Sequence, residues 1–441
     1  MDNLKKISIT GLLVFIQLSN ICCQTSSEKS SPGGDNQGEI EVKVGTKNFK
    51  TNKVTKQGTP VVPMWNAQMP TVDLSAGAGF PVLSKAEHAV VWQPPTREDG
   101  AYNHYACLIN HKGKFYAMWG NHPLGEDAPG QRVLYATSDA WGKWSEAKEL
   151  FPAPGPVLPR TEKGIHLKPD RWAVIDDVLY AITYVHGAKV YPIARTVNEK
   201  GEFGQPFLVE NLPDGGKLPV YMQDLASATA PPIGIRLRNW YRENDQISWW
   251  AADTWGVLRT AIDSHKLIES FIYRAKDGGL VLMLRDWGTS QNPVHDNRMY
   301  VSFNDGAGGW GIPYPTDIPD SPSRAQAISS GDGTVLLIGN QNAYSFDQAL
   351  YLDRDPITVS VSKDGYKFDC VYALRIDAPK KYRFAGIKGR NLGYAYPSSI
   401  ILNGWLYTLY SVGKEDMAIT RVPLTAVSYT HLRAHETAAN L

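Results

Sequence analysis

Short apolar runs separated by polar turns fill most of the chain. Residues 104–110 and 115–120 flank one such turn, and residues 172–175 and 178–185 flank another. The same pattern recurs at residues 280–285, 334–339, 399–402 and 405–410. Short strands bounded by Gly, Asp and Asn are typical of all-β proteins. No long stretch with a helical period competes, and residues 223–229 would form at most one short helix. The pattern predicts an all-β fold.

Three turns share a second pattern, in which a strand is followed by Ser, Asp, Gly and an aromatic residue. They contain Ser138, Asp139, Gly142 and Trp144; Ser302, Asp305, Gly306 and Trp310; and Ser362, Asp364, Gly365 and Phe368, with a weaker copy at 196–203. In such a turn the carboxylate accepts backbone N–H bonds, Gly adopts a positive φ, and the aromatic ring packs against the next sheet. The turns resemble the structural Asp-boxes of sialidase-like propellers. We expect Trp144, Trp310 and Phe368 to be buried at equivalent places between blades.

The spacing of these repeats indicates how the fold is closed. A repeat of roughly 40 to 50 residues is typical of propeller blades. Residues 72–425 would then form a single β-propeller of about seven blades arranged around a central channel. No change in composition marks a second domain.

The two ends of the chain differ from this body. Lys5 and Lys6 precede the apolar run 7–18, so residues 1–24 have the form of a secretory signal peptide. Cys22 and Cys23 leave soluble export and a lipid-anchored lipoprotein equally open. We expect residues 25–71 to be a disordered tether and an entry segment. Residues 426–441 resemble the translation of a sequencing adapter and are expected to be non-native, with no ordered place in the propeller.

Charge and cysteine content narrow the function classes. The 45 Lys and Arg residues nearly balance the 44 Asp and Glu residues, giving a net charge of +1, so no large field favours nucleic acid or anionic membrane. The four cysteines leave only Cys107 and Cys370 in the body. Both lie in apolar strand-like runs, and we expect buried free thiols.

The richest chemistry lies between residues 102 and 138. A hairpin over 105–120 would place His104 and His122 at its open end, each beside an asparagine, Asn103 and Asn121. Two imidazoles at one rim can supply a base and an acid. Glu126 and Asp127 converge on the same region, whereas His111 lies at the turn end. The structural alternative is that both histidines only satisfy loop hydrogen bonds.

A second hairpin, residues 180–195, brings Tyr184 and Arg195 within reach of each other, with His186 and Tyr191 as weaker alternatives. A tyrosine can protonate a leaving oxygen, and an arginine can bind a carboxylate through two hydrogen bonds. Packing of the tyrosine and a surface ion pair of the arginine would explain them equally well. Further polar residues of two loops are expected to line the channel mouth: Asp286, His295, Asp296, Arg298 and Arg324.

The runs 104–144, 193–204 and 316–341 resemble bacterial seven-bladed propellers that degrade uronic-acid glycans, a group of ulvan lyases, rhamnose–glucuronate lyases and a propeller rhamnosidase. This resemblance implies a secreted enzyme acting on an acidic polysaccharide. Carried over by position, it makes His104, His122 and Tyr184 catalytic, and Arg195, with Asn103, Asn121 and Arg298, substrate-binding. We expect His104, His122, Tyr184 and Arg195 to surround one concave pocket. β-Elimination would then use Arg195 to neutralise the uronate, and His or Tyr for the proton transfers.

Two other readings stay open. A glycoside hydrolase on the same scaffold needs two carboxylates flanking the bond. Glu126 and Asp127, being adjacent, would point apart on an extended strand, while Asp286 or Asp296 could serve. A sialidase would show an early Arg-Ile-Pro motif and an arginine triad, and the nearest match, residues 421–423, lies at the wrong end. The third reading is a carbohydrate- or protein-binding propeller without catalysis.

No cofactor is expected. The chain has no Cys cluster and no H-E-x-x-H motif, which argues against a catalytic zinc. A structural calcium ion in an acidic loop, and the oligomeric state, stay open.

Overall fold

The computed structural model describes residues 38–67, 79–188, 190–198, 200–211, 229–245, 259–288, 296–304, 310–342, 354–387 and 391–427. Over this part of the chain the fold is an all-β propeller with five blades. Two strands precede the blades, β1 (Ile40–Val44) and β2 (Lys47–Thr51), and they form a hairpin.

The first two blades follow chain order. Blade 1 contains β4 (Tyr102–His111), β5 (Lys114–His122), β6 (Arg132–Ser138) and β7 (Lys148–Phe151). Blade 2 contains β8 (His166–Ile175), β9 (Val178–His186), β10 (Val190–Val197) and β11 (Phe207–Leu208). Each strand pairs antiparallel with the next.

Blades 3 and 4 have the same antiparallel order. Blade 3 contains an additional two-residue strand, β12 (Arg259–Thr260), followed by β13 (Lys266–Arg274), β14 (Leu280–Asp286), β15 (Arg298–Asn304) and β16 (Tyr314–Pro319). Because the other blades have four strands, β13 is counted below as the first strand of blade 3. Blade 4 contains β17 (Gln326–Ser329), β18 (Val335–Gly339), β19 (Ile357–Ser362) and β20 (Phe368–Arg375).

Blade 5 closes the propeller with strands from both ends of the domain. It contains β21 (Tyr394–Leu402), β22 (Trp405–Val412) and β23 (Asp416–Pro423), and its outer strand is β3 (Glu87–Trp92). β3 pairs antiparallel with β23, from Met417 opposite Trp92 to Arg421 opposite Glu87. This pairing protects the sheet edges that an open array of blades would leave exposed.

The prediction of about seven blades is wrong for the described chain. A blade count obtained from the domain length and one repeat length holds only if every residue belongs to a blade. Instead, the 14-residue helix α1 (Pro232–Asp245) stands between β11 and β12 and buries Leu237 against blade 2. The one short helix expected at 223–229 falls almost wholly outside the described residues.

Within the segment expected to be tether and entry, residues 40–67 pair and pack as part of the fold. Val42 and Val44 pack into the core shared by blades 3 and 4, together with Val62 and Met64. The chain then pairs in parallel with the edges of both blades, through Val62 with Thr316 and through Trp65 with Phe368. At the other end, Val427 is buried against blades 4 and 5. Residues 1–37 and 428–441 lie outside the described chain.

The serines of the three Ser–Asp–Gly–aromatic sequences lie in the third strands of blades 1, 3 and 4, which are β6, β15 and β19. The turn after Ser362 has the expected bonds, because Asp364 accepts from the backbone N–H groups of Tyr366 and Lys367. Asp139 instead has an exposed side chain that faces Lys114, and Asp305 lies outside the described residues. A set of Asp-box turns is therefore not established. Phe368 is fully buried, whereas Trp144 and Trp310 are only partly buried.

Two further observations concern the whole body. Cys107 and Cys370 are buried thiols outside any disulfide, which confirms the prediction for them. Among the residues that the structure describes, no helix has both the length and the apolar character needed to cross a membrane.

Candidate active site

Buried polar side chains collect on one face of the propeller, where the first strand of a blade begins and the second strand ends. The first strands of neighbouring blades contact each other: β4 contacts β8 and β21, and β17 contacts β13 and β21. Side chains from different blades therefore meet at this face. We call the group defined below, centred on Glu269, Arg285 and Tyr396, the axial cluster.

Four first strands carry a register shift near their beginnings. In β8 it lies between Pro169 and Arg171, and in the other three it includes a residue with positive φ. The register shifts between His104 and Cys107 in β4, between Ile268 and Phe271 in β13, and between Ala395 and Ser398 in β21. At each of these three bulges one residue has a positive φ: Tyr105 (64°), Glu269 (53°) and Tyr396 (59°). Left-handed backbone is uncommon for residues with a Cβ, and bulges redirect side chains next to active sites. The same local distortion thus places two tyrosines and a glutamate at the face.

Glu269, Arg285 and Tyr396 form the centre of the axial cluster. The Tyr396 hydroxyl donates to Glu269 Oε1. Arg285 Nη1 donates both to Glu269 Oε2, at 2.7 Å, and to the Tyr396 hydroxyl, at 3.0 Å. Burial and the Glu269 charge raise the pKa of Tyr396 well above its ordinary value. Burial opposes the charge of Arg285, but Glu269 and Tyr396 raise the pKa of the guanidinium. The Tyr396 side chain is therefore neutral, and its oxygen is hydrogen-bonded both to the carboxylate of Glu269, which can act as a base, and to the cationic guanidinium of Arg285.

Arg354 adds a second guanidinium to the cluster. Its Cζ lies 5.7 Å from the centre of the Tyr396 ring, and its Nη2 donates to the Pro322 carbonyl at 3.1 Å. Its Nε and Nη1 are buried and have no hydrogen-bond partner among the described residues. Burial and the nearby Arg285 lower the pKa of Arg354. N–H donors that lack a hydrogen-bond partner on a buried cation cost free energy, and a bound anion would satisfy them.

The loop after β5 contributes two carboxylates. Glu126 accepts from the Tyr102 hydroxyl at 3.1 Å and from Lys414 Nζ at 2.8 Å. Asp127 accepts from the Tyr105 hydroxyl at 2.8 Å and from Lys168 Nζ at 2.9 Å. Burial raises the pKa of Asp127, but the Lys168 charge prevails and holds it at about 2. Burial lowers the pKa of Lys414 to about 8, with Glu126 opposing. At neutral pH Asp127 is a carboxylate.

His104, one of the predicted catalytic residues, lies inside the axial cluster. Its ring centroid is 3.9 Å from that of Tyr396. Its Nδ1 lies 2.8 Å from Ser411 Oγ, and Ser411 donates to the Ala395 carbonyl, so Nδ1 carries the proton. Nε2 is then an acceptor, buried and without a partner among the described residues. Burial, with the Lys414 and Arg354 charges, lowers the pKa of His104 well below its ordinary value. The imidazole is neutral and can accept a hydrogen bond.

His122, Asn103 and Asn121 are occupied in holding the loops. His122 Nδ1 accepts the backbone N–H groups of Leu124 and Gly125, and its Nε2 meets the Pro129 carbonyl at 3.0 Å. The two asparagines bond each other at 2.8 Å. They also bond the carbonyls of Asp99, Gly100 and Glu415, the Trp119 indole and Arg132. The two histidines share one hairpin end, as predicted, but His122 has both ring nitrogens engaged.

The predicted pairing of Arg195 with the histidines does not occur. Arg195 lies on β10 and donates to the backbone carbonyls of Leu150 and Gly204. Its guanidinium stands between the Phe151 and Phe203 rings. It joins the outer strands of blades 1 and 2 and stays apart from the axial cluster. Tyr184 is buried on β9 with its ring against His186, 6.1 Å between centroids.

The described polar residues of the blade 3 loop bond mainly to one another and to nearby backbone. Asp286 contacts His265 Nδ1 at 2.9 Å and accepts from the Gly288 and Asp296 N–H groups. Arg298 Nε lies 3.0 Å from Asp296 and its Nη1 donates to the Thr316 carbonyl. Of the two remaining predicted residues, Arg324 acts on His104 through its charge, and His295 lies outside the described residues. Among the residues that the structure describes, no three His, Cys, Asp or Glu side chains group as metal ligands would.

Glu269, Tyr396, Arg354, Lys168 and Lys414 were missed from sequence. Sequence patterns bring together carboxylates and histidines within single hairpins, whereas these residues come from four blades. One signal was available: Glu269 is the charged residue in the interior of the strand Lys266–Arg274, between its charged ends. A charged residue inside an inner strand of a propeller marks a side chain that points toward the axis or a bulge.

Comparison with known proteins agrees with this fold. No curated protein matches the sequence. Among solved structures, a protein named "Sialidase" matches with a TM-score of 0.61 at 16% identity, covering 82% of this chain and 35% of its own. A Trypanosoma rangeli sialidase mutant matches with a TM-score of 0.45 at 10% identity, covering 82% and 62%. The chain thus spans about a third of the first relative and just over three fifths of the second. The model of a BNR repeat-like domain matches residues 120–408, well over half of the chain, so the protein belongs to the BNR repeat-like domain family and has a sialidase-like propeller fold.

Proposed function

We propose that the protein is a glycoside hydrolase that cleaves sugars bearing a carboxylate, with Tyr396 as its nucleophile. The observation that carries this proposal is the triad in which the Tyr396 hydroxyl donates to Glu269 while receiving a hydrogen bond from Arg285. A nucleophile next to its own base, with a third group orienting both, is the general signature of covalent catalysis. Tyrosine nucleophiles occur among glycosidases that act on acidic sugars.

The triad supports a two-step reaction. Glu269 takes the phenolic proton as the Tyr396 oxygen attacks the anomeric carbon and the glycosidic oxygen leaves. Water then attacks the glycosyl–tyrosine, and the phenolic oxygen recovers its proton from Glu269. A neutral tyrosine approaches an anionic sugar without the repulsion that a carboxylate would meet. Arg285 stabilises the charge that develops on the phenolic oxygen.

Arg354 and Arg285 are suited to bind the substrate carboxylate. Arg354 Nε and Nη1 have no hydrogen-bond partner among the described residues. The planar guanidinium matches a carboxylate in geometry and charge. His104 Nε2, an acceptor within the same cluster, is suited to a sugar hydroxyl. This keeps His104 as a substrate-contacting residue and replaces the predicted role of Arg195.

Asp127 is our candidate for proton transfer at the leaving group. Its side chain is 23% exposed, and Tyr105 links it to the nucleophile, with 5.8 Å between the Tyr105 and Tyr396 rings. In the first step the protonated form of Asp127 gives its proton to the leaving oxygen, and in the second step the carboxylate so formed takes the proton of the attacking water. The low pKa of Asp127 makes proton donation to the leaving oxygen harder. We therefore expect aryl glycosides, whose leaving oxygens need protonation less, to be cleaved faster than alkyl glycosides.

The geometry favours hydrolysis over the elimination first expected. Elimination assigned the uronate to Arg195 and the proton transfers to His104, His122 or Tyr184, yet Arg195 and His122 are engaged elsewhere. We propose that the enzyme acts outside the cytoplasm on acidic glycan, a proposal that rests on the signal-like residues 1–24.

The test is a panel of acidic polysaccharides, and of methylumbelliferyl glycosides of sialic and uronic acids, assayed for reducing ends and for ultraviolet-absorbing unsaturated uronate. We expect reducing ends without ultraviolet gain, and a loss of roughly 10³-fold in kcat for Tyr396→Phe, which removes the nucleophile. Tyr410→Phe is the matched control, because Tyr410 is equally buried and also receives an arginine hydrogen bond, at 3.0 Å from Arg375. Wild-type turnover in Tyr396→Phe, or ultraviolet gain as the main product signal, would refute the proposal.

A further inference from the structure

Two histidines of blade 2 remain outside this mechanism although they adjoin it. His166 begins β8 and His186 ends β9, and the two are directly opposed in the sheet. Their rings stack with centroids 5.0 Å apart and planes 16° apart. We call them the histidine pair.

Each member of the pair has an unmet hydrogen-bonding atom. The Nε2 atoms of His166 and His186 are buried and have no partner among the described residues. A buried polar atom left without a partner costs free energy that a ligand can recover. Burial, the largest influence on both, lowers the pKa of His166 to about 4 and that of His186 to about 2. Both rings are therefore neutral at pH 7 and act as hydrogen-bonding groups.

The pair stands beside the carboxylate assigned to the leaving group. His166 Nε2 lies 3.9 Å from Asp127 Oδ1, and Lys168 Nζ holds Asp127 Oδ2 at 2.9 Å. The positive charge of Lys168 is thereby compensated, so no net cation is left over at this place. Tyr184 packs its ring edge against His186 and fixes the position of the pair.

We infer that the histidine pair is the leaving-group subsite, binding hydroxyl groups of a neutral sugar that is joined to the cleaved acidic sugar. This inference rests on the proposed function and deepens it. The neutral rings and the compensated lysine select hydroxyls over a second carboxylate or sulfate. A substrate that spans the site would place its carboxylate at Arg285 and Arg354, its scissile oxygen near Asp127, and its next sugar against the pair.

The experiment compares two substrates that share the acidic sugar and differ in the leaving group. One is the methylumbelliferyl glycoside, and the other is a disaccharide with a neutral hexose in that place. In His166→Ala and His186→Ala we expect kcat/KM for the disaccharide to fall roughly tenfold, which corresponds to the loss of one hydrogen bond, mainly through a rise in KM. For the methylumbelliferyl glycoside we expect no change. His111→Ala, at the opposite end of the β4–β5 hairpin, is the control and leaves both substrates unaffected.

The outcomes separate the two proposals. Equal losses on both substrates, or no loss on either, would overturn the leaving-group subsite while Tyr396→Phe still tests the hydrolase. Thermal unfolding of each variant, together with His166→Asn and His186→Asn, shows whether a loss comes from misfolding. If wild type cleaves neither substrate, the hydrolase proposal fails. Calorimetric titration with methyl glucoside, galactoside and rhamnoside then decides the subsite, because binding that depends on the pair supports it and absence of binding refutes it.

Discussion

Replacing Glu269 by Gln removes one charge from the axial cluster while keeping the shape of the side chain. In the native protein Glu269 receives the Tyr396 hydroxyl on one oxygen and Arg285 on the other, at 2.7 Å. Glu269 and Arg285 are 6% exposed and Tyr396 is 4% exposed, so water cannot take over these bonds. The glutamine amide can accept on one atom only. It leaves one of the two donors facing an NH₂ group, and no base beside the nucleophile.

Two magnitudes follow from this arrangement. Loss of a positioned general base lowers turnover by roughly 10²- to 10⁴-fold. Breaking a buried ion pair by neutralising one partner costs roughly 3 to 5 kcal/mol in the free energy of unfolding. Arg285 keeps its hydrogen bond to the Tyr396 hydroxyl, at 3.0 Å, so we expect the lower end, about 3 kcal/mol. Activity and stability should thus fall together.

The assay measures kcat on the fluorogenic glycoside and the midpoint of urea unfolding for three proteins: wild type, Glu269→Gln, and the double variant with Arg285→Met. The double variant removes the stranded cation, so it should regain part of the lost stability and none of the activity. A kcat in Glu269→Gln within about threefold of wild type would refute Glu269 as the base. No recovery of stability in the double variant would refute the reasoning about the stranded charge.

Three other predictions concern the remaining charges. Arg195→Ala should leave kcat unchanged and lower the thermal midpoint, since Arg195 only joins blades 1 and 2; a large loss of kcat at native stability would contradict this. Arg354→Gln should raise KM for acidic glycosides roughly tenfold or more and leave the binding of neutral methyl glycosides unchanged, as measured by steady-state kinetics and calorimetry. His104, His166 and His186 have lowered pKa values when folded, so the unfolded chain binds more protons below about pH 6.5. Stability should therefore fall from pH 6.5 towards 4, by at most about 1.4 kcal/mol per pH unit for each histidine, and urea midpoints that stay flat over this range would contradict it.

The fold class could be read from sequence because it depends on local patterns. Short apolar runs and polar turns each reflect a hairpin, and the hairpins predicted at 105–120 and 172–185 are β4–β5 and β8–β9. The blade count depends on where the chain leaves one sheet for the next. That choice is made by tertiary packing, as the helix Pro232–Asp245 between two blades illustrates. A period measured on hairpins therefore overestimates the number of blades.

The candidate site was predictable only in part, for a related reason. His104 was found because it lies in a hairpin whose ends can be paired from sequence alone. Glu269 and Tyr396 are 127 residues apart, and their hydrogen bond exists only because blades 3 and 5 face one axis. Arg195 was misassigned because a guanidinium that binds carbonyls between blades looks the same in sequence as one that binds substrate. Hairpin reasoning can pair neighbours in the chain, whereas this site is built across the propeller.

The bulges explain why the site is at this face and not elsewhere along the inner strands. A regular strand alternates its side chains between the two sides of a blade, so successive residues pack against neighbouring blades. The register shifts at Tyr105, Glu269 and Tyr396 break that alternation in three blades at the same level. Each left-handed residue costs roughly 1 to 3 kcal/mol, which persists only where the surroundings over-determine the geometry. Here the same hydrogen bonds that organise the chemistry, from Tyr105 to Asp127 and from Tyr396 to Glu269, offset that cost. The strained backbone and the proposed catalytic geometry are thus maintained by one set of contacts.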